Sequence, residues 1–77
     1  MYTVYTTENC EYCLAAKNLL FSYNLEYLTV ILDTPEKKKE FKESTGLKTV
    51  PQIYNDVNEY VGGYDELVEY LARGKTP

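Results

Sequence analysis

The fold is decided by residues 2–13, which read YTVYTTENCEYC. Tyr2–Thr6 is rich in β-branched and aromatic residues and predicts a strand, which the polar residues 7–9 end. From Cys10 to about Tyr23, apolar side chains recur at helical spacing and predict an amphipathic helix. Two cysteines therefore lie where a strand passes into a helix. The apolar stripe of that helix consists of Cys13, Ala16, Leu19, Leu20 and Tyr23.

The next two elements are predicted to be a strand and a helix. Residues 27–32 are almost continuously apolar, as expected of a central strand covered by helices on both faces of a sheet. Thr34 offers a capping hydroxyl, and Pro35 follows at a position that needs no amide donor. With Gly46 as the stop signal, the second helix spans about Pro35 to Thr45.

The last third of the chain predicts a hairpin and a helix. Residues 52–54 and 59–61 flank a turn-forming run at 55–58, and Gly62-Gly63 breaks the hairpin. The final helix is marked by apolar side chains and by an acidic first turn, and residues 74–77 are expected to be a frayed tail. The marking residues are Leu67, Val68 and Leu71, with Asp65 and Glu66 in the first turn.

The order βαβ-α-ββα predicts an α/β fold, a four-stranded mixed sheet flanked by helices. It contains a right-handed parallel crossover followed by an antiparallel hairpin. A chain of 77 residues has room for one small core, so residues 1–77 are expected to form a single domain.

Charge and hydropathy exclude several classes of protein. The formal net charge of −4 disfavours binding to nucleic acid or an anionic membrane. No stretch approaches the ~20 apolar residues that span a bilayer, and the first residues lack the basic start of an export signal. The chain is therefore expected to be cytoplasmic, where two cysteines indicate a redox or metal role rather than a structural disulfide.

Cys10-Glu11-Tyr12-Cys13 is predicted to be a redox-active pair, because its spacing stands at a strand-to-helix junction. At the helix start, unpaired amide donors would stabilise the Cys10 thiolate, the form that attacks a disulfide. Cys13, one turn inward, would be shielded until it resolves the mixed disulfide. A zinc site is the alternative, but tetrahedral zinc needs four ligands, and the chain has two cysteines and no histidine.

Two further segments could bind a substrate. A cis proline in Thr49-Val50-Pro51 would end the strand ladder and leave the Val50 backbone free to pair with an extended peptide. The alternative is an ordinary proline at a strand edge, but the presence of the cysteine motif favours the cis form. Residues 62–65, Gly-Gly-Tyr-Asp, bring a backbone turn to the last helix start, where free amides could hold a carboxylate; a simple turn and cap is the alternative.

Together the three segments resemble those of the glutaredoxin family, which has a thioredoxin-like fold. The resemblance covers nearly the whole chain, and it implies a glutathione-dependent dithiol-disulfide oxidoreductase without a bound cofactor. The shortness of the chain and the run at residues 61–67 are similar to compact glutaredoxins of bacteria and their viruses. Those proteins supply electrons to ribonucleotide reductase, so this enzyme is implied as a partner beside other disulfide-containing proteins.

The resemblance also implies where glutathione would lie. Its cysteine backbone would bond Val50, and its γ-glutamyl carboxylate would meet the amide and side chain of Asp65 beside Gly63. Tyr12 and Tyr64 would flank the tripeptide, and Lys38 would meet its glycine carboxylate. The alternative for Lys38 is that it belongs, with Lys37 and Lys39, to a solvated helix face.

Two departures from the family act on the nucleophile. Glu11 replaces the proline that is common between the cysteines, and Thr7 stands where many members carry a basic residue. Both make the site less electropositive, so the helix start is expected to lower the pKa of the Cys10 thiol only moderately. A less stabilised thiolate favours the disulfide, and the couple should be more reducing than that of a proline-containing relative.

Three other functions stay open from the sequence. The protein could take electrons from thioredoxin reductase, although residues 62–65 favour glutathione. Two chains and two glutathiones could instead hold an iron–sulfur cluster, against which a second cysteine usually protects. An inert thioredoxin-like partner of a larger assembly would not need Cys10 and Cys13. A monomeric enzyme is the favoured interpretation.

Overall fold

The computed structural model describes residues 1–74, and the rest of the predicted tail, residues 75–77, lies outside the described residues. Within that part of the chain, strands and helices follow one another in the predicted order. The elements are β1 (Tyr2–Thr6), α1 (Glu11–Ser22), β2 (Tyr27–Ile31), α2 (Pro35–Thr45), β3 (Gln52–Tyr54), β4 (Tyr60–Gly62) and α3 (Tyr64–Ala72).

The four strands form one mixed sheet in the order β2-β1-β3-β4. β1 and β2 are parallel, with Tyr2 beside Tyr27 and Thr6 beside Ile31. β3 runs antiparallel to β1, and β4 is antiparallel to β3. The sheet is thus the predicted parallel crossover followed by a hairpin, and the predicted α/β fold with a four-stranded mixed sheet is confirmed.

The prediction that residues 27–32 form the central strand was wrong. β2 pairs only with β1 and lies at the edge of the sheet, where Leu28 is 54% and Ile31 46% exposed. β1 is central instead, because β3 returns to pair with its second edge. A run of apolar residues shows that a strand can be covered, whereas its place in the sheet depends on where the other strands dock.

The core lies between the sheet and the helices α1 and α3. Side chains on alternate positions of β1 point to this face, where they meet apolar side chains from both helices and from β3. Two residues of the predicted helical stripes, Tyr23 and Val68, are exposed; Tyr23 lies past the end of α1 as its C-cap. The core cluster consists of Tyr2, Val4, Ala16, Leu20, Ile53, Leu67 and Leu71.

Helix α2 covers the opposite face through one buried side chain. The Phe41 ring lies 4.6 Å from that of Tyr5, centroid to centroid, within the range of favourable aromatic pairs. The predicted helix boundaries are confirmed: the Thr34 hydroxyl accepts a hydrogen bond from the Lys37 amide at 3.2 Å, and Gly46 ends the helix with φ +76°. Because Phe41 packs against the sheet, the lysine-rich face of α2 is exposed to solvent.

Stability should depend on the ionisation of Tyr2, a core residue that is 1% exposed. Burial, together with Tyr70 and Asp56, raises the pKa of Tyr2 from 10.0 to about 12. The folded state therefore keeps a proton that the unfolded chain releases, and the free energy of unfolding should fall as the pH rises from about 10 to about 12. The loss attributable to Tyr2 is at most about 3 kcal/mol.

Tyr2→Phe tests this expectation. Among residues 1–74 the Tyr2 hydroxyl makes no hydrogen bond of good geometry, although the Tyr70 side chain approaches it, so its removal should change stability at pH 7 by less than about 1 kcal/mol. Urea unfolding at a series of pH values should show a shallower alkaline loss for Tyr2→Phe than for the wild type. Parallel alkaline losses in the two proteins would show that Tyr2 does not carry the effect.

Candidate active site

The two cysteines occupy the start of α1. Cys10 is the N-cap, and the Cys13 amide donates a hydrogen bond to Cys10 Sγ at 3.2 Å. Cys10 is partly exposed, whereas Cys13 is 1% exposed, and the two sulfurs are joined as a disulfide. The structure therefore describes the oxidised pair, with the predicted attacking sulfur outside and the predicted resolving sulfur inside.

The loop before β3 brings a second segment to the cysteines. Cys10 Sγ lies 4.0 Å from the Val50 carbonyl oxygen, and the Val50–Pro51 peptide bond is cis, as the sequence predicted. The ladder between β1 and β3 ends at the Tyr5–Gln52 pair, so Val50 lies outside it. An extended peptide at Val50 would thus run beside the predicted attacking sulfur.

Sequence reasoning missed the side chain that braces this loop. Gln52 is 5% exposed; its Nε2 donates to Thr49 Oγ1 at 3.0 Å, and its Oε1 accepts from the Tyr60 hydroxyl at 2.7 Å. Both ends of the amide are therefore satisfied, as a buried polar side chain requires. The available signal was a polar residue at the start of a short strand that otherwise reads as buried.

The third segment approaches from the start of α3. The Tyr64 ring lies 5.9 Å from that of Tyr12, centroid to centroid. Gly63 is the N-cap of α3, and a Cβ atom placed on it would lie 3.4 Å from the Pro51 carbonyl oxygen. The structure thus brings the Gly63-Tyr64 turn against both other segments.

The carboxylate end of the predicted glutathione site is less complete. The Gly63 amide already donates to Glu66 Oε1 at 2.7 Å, a partner that sequence reasoning missed, although a glutamate three residues after the cap is the usual signal. Asp65 is exposed on the first turn of α3. The described hydrogen bonds and ion pairs do not join its side chain to another predicted site residue.

Lys38 lies near the loop that precedes β3. It lines a cavity of about 500 Å³ together with Thr49 and Val50. Thr7 lines this cavity and also a neighbouring one of about 520 Å³ that contains Cys10 and Cys13. Five of the predicted site residues therefore line two adjoining depressions, Cys10 and Cys13 in one and Lys38, Thr49 and Val50 in the other.

The cavity that contains the cysteines is lined by more acidic than basic side chains. Glu8, Glu11 and Lys17 are the charged residues along it. Among residues 1–74, no group of three or more His, Cys, Asp or Glu side chains is arranged to hold a metal ion. None of the helices in the same range is long and apolar enough to cross a membrane.

Removing the charge of Glu11 should make the cysteine pair more oxidising. A carboxylate ~7 Å from a thiolate destabilises it by about 0.6 kcal/mol in water, which corresponds to about 10–15 mV. We therefore expect Glu11→Gln to raise the reduction potential by about this amount, as measured by equilibration with a glutathione redox buffer. Glu26→Gln makes the same change of charge away from these cavities and should leave the potential unchanged. A lowered potential in Glu11→Gln would contradict the argument.

Comparison with known proteins gives consistent results. The Glutaredoxin family model matches residues 2–60. Glutaredoxin 1 of Rickettsia conorii is 44% identical over 75 residues, which cover 94% of this chain and 72% of that protein. Glutaredoxin 3 of Escherichia coli K12 is 39% identical over 72 residues, which cover 92% of this chain and 86% of that protein.

Solved structures of the same kind are also similar. Glutaredoxin 1 from Francisella tularensis, complexed with cacodylate, superposes with a TM-score of 0.82 at 27% identity, over 96% of this chain and 94% of that chain. The buckwheat glutaredoxin–glutathione complex has a TM-score of 0.81 at 27% identity, over 96% of this chain and 70% of that chain.

Proposed function

The chain belongs to the glutaredoxin family and is a thiol-disulfide oxidoreductase, and from this premise we propose that it uses glutathione to reduce protein disulfides and glutathione mixed disulfides. The observation that carries the proposal is the 4.0 Å approach of Cys10 Sγ to the Val50 carbonyl oxygen. A substrate peptide held along Val50 would present its sulfur to Cys10.

In the proposed reaction, the Cys10 thiolate attacks one sulfur of the substrate disulfide. A bond forms between Cys10 and that sulfur, the substrate disulfide breaks, and the second substrate sulfur leaves as a thiolate. Cys13 then loses its proton to solvent and attacks Cys10 Sγ, which releases the first substrate sulfur and forms the Cys10–Cys13 disulfide. The substrate gains two electrons, and the cysteine pair loses two.

Glutathione would return these electrons in two exchanges. One glutathione thiolate attacks Cys10 and frees Cys13, and a second attacks the resulting mixed disulfide to give oxidised glutathione and the Cys10 thiolate. The Cys13 amide, which bonds Cys10 Sγ at 3.2 Å, supports this step because it can stabilise the departing thiolate.

The proposed glutathione site uses the three adjoining segments. The backbone of Val50, which lies between Thr49 and Pro51, would pair with the backbone of glutathione. The Tyr12 and Tyr64 rings would form one wall of the glutathione site. Lys38 would meet the glycine carboxylate, and Asp65, after Gly63, would bind the γ-glutamyl end. The proposal includes a cytoplasmic monomer, residues 1–77 as one domain, no resident cofactor, and ribonucleotide reductase among the protein substrates.

The test is glutathione-coupled reduction of a small mixed disulfide, with glutathione reductase and NADPH reporting turnover. We expect wild-type protein to turn over with glutathione and not with thioredoxin reductase. Asp65→Ala should raise the KM for glutathione several-fold, while Asp33→Ala, an exposed aspartate outside the proposed site, should not change it. Turnover with thioredoxin reductase alone would refute the glutathione site and leave the roles of the cysteines intact.

A further inference from the structure

The cavity beside Val50 carries an uneven distribution of charge. Within the described part of the chain, residues 1–74, its charged lining consists of four lysines and includes no carboxylate. These are half of the eight Lys and Arg residues in a chain whose net charge is −4. The basic cavity, as we call it, is lined by Lys38, Lys39, Lys42 and Lys48, together with Thr7, Leu32, Phe41, Leu47, Thr49 and Val50.

Three of these lysines have no acidic partner among residues 1–74. Lys39 lies 3.8 Å from Glu43, but Lys38, Lys42 and Lys48 form no ion pair with a described residue. Lys37, on the same helix, pairs with Asp33 at 2.9 Å and does not line the cavity. The cavity therefore presents unneutralised positive charge next to the reaction site.

The neighbouring cavity has the opposite balance. Glu8 and Glu11 line it beside Cys10, with Lys17 as its one basic residue among residues 1–74. A polypeptide that crosses Cys10 would meet negative charge on one side and positive charge on the other. Such an arrangement selects partners by electrostatic complementarity, which acts mainly on the rate of association and on specificity.

We propose that the basic cavity selects protein substrates whose disulfide is flanked by acidic side chains. The inference rests on the proposed function, because it places the substrate backbone at Val50. An extended chain advances about 3.3 Å per residue, so side chains one to three positions from the substrate cysteine would lie over the cavity. Glutamates or aspartates at those positions would neutralise Lys42 and Lys48, whereas basic side chains there would be repelled.

The test uses two synthetic peptides, each with one intramolecular disulfide. They are identical except that the residues on one side of the disulfide, the side that would lie over the basic cavity, are glutamates in one peptide and glutamines in the other. Pre-reduced protein is mixed with each peptide, and the second-order rate of disulfide exchange is measured by stopped flow. Since no glutathione takes part, the result does not depend on whether the glutathione site functions.

Wild-type protein should react about threefold to tenfold faster with the glutamate peptide, as expected for a few exposed charge pairs. The preference should shrink in high salt, because the Debye length falls from about 8 Å at physiological ionic strength to about 3 Å at 1 M. Equal rates for the two peptides at low salt would overturn the proposal.

Two charge reversals on α2 separate this local effect from the net charge. Lys42→Glu should abolish the preference for the glutamate peptide and leave the rate with the glutamine peptide within about twofold, because exposed charges interact weakly with a neutral ligand. Lys37→Glu makes the same change of net charge outside the cavity and should keep the preference. Equal loss in both variants would overturn the proposal, and circular dichroism checks that both retain their helices.

Discussion

A Cys10→Ser variant is expected to lose glutathione-coupled disulfide reduction by at least about a thousandfold, because a serine hydroxyl is neither ionised near neutral pH nor a comparable nucleophile. The structure explains why Cys10, and not Cys13, is expected to be the nucleophile. Cys10 is partly exposed, accepts the Cys13 amide at 3.2 Å and adjoins Val50, whereas Cys13 is buried.

Cys13→Ser is the matched control, since it makes the same atomic change three residues away. It should lose reduction of protein disulfides, which needs the second thiol to release the substrate. It should keep a substantial part of its activity on glutathione mixed disulfides, which glutathione itself can resolve. The assay couples each substrate to glutathione reductase and NADPH.

Other outcomes would reverse the assignment. If Cys13→Ser abolished both activities while Cys10→Ser kept the activity on mixed disulfides, the buried cysteine would be the nucleophile. If both variants retained both activities, the cysteine pair would not carry the reaction, despite its place at the start of α1.

The second large effect is expected on stability, from Gly62→Ala. Gly62 ends β4 with φ +132°, a conformation that side chains with a Cβ atom rarely adopt. An added Cβ would also lie 2.6 Å from the Cβ of Glu66 in α3, so the turn into the helix would have to shift. We expect a loss of about 3 kcal/mol or more in the free energy of unfolding.

Gly46→Ala provides the control for backbone conformation alone. Gly46 also has a positive φ, +76°, but an added Cβ would meet nothing within 4 Å. Gly46→Ala should lower the free energy of unfolding only by the strain of a left-handed backbone conformation, about 1–2 kcal/mol. Urea unfolding followed by circular dichroism measures both variants, and a Gly62→Ala cost no larger than that of Gly46→Ala would show that the contact with Glu66 is unimportant.

Gly62 also illustrates a limit of the sequence interpretation. The Gly62-Gly63 pair was predicted to break the hairpin, but Gly62 is the last residue of β4 and only Gly63 lies outside it, as the cap of α3. The need for glycine at position 62 comes both from its φ of +132° and from the close approach of Glu66, a contact between two elements. A glycine in a sequence signals conformational freedom without saying which contact requires it.

The sequence by itself determined the features that depend on neighbouring residues. The order of strands and helices, the ends of α2 at Thr34 and Gly46, and the place of Cys10 and Cys13 at the start of α1 all follow from side-chain spacing and capping. The fold class followed from that order. Each of these signals depends on residues that are only a few positions apart in the sequence, so no contact with a distant segment is needed to interpret it.

Only the tertiary structure decided which distant residues meet. It placed β2 at the edge of the sheet, set Val50 beside Cys10, and joined Gln52 to Thr49 and Tyr60. It also gathered lysines from α2 and from the following loop around one cavity. The physical reason is that strand order and side-chain partners are those that minimise the free energy of the whole folded chain, in which the gain from burial competes with the entropy cost of loop closure. A local sequence pattern fixes only the element that contains it.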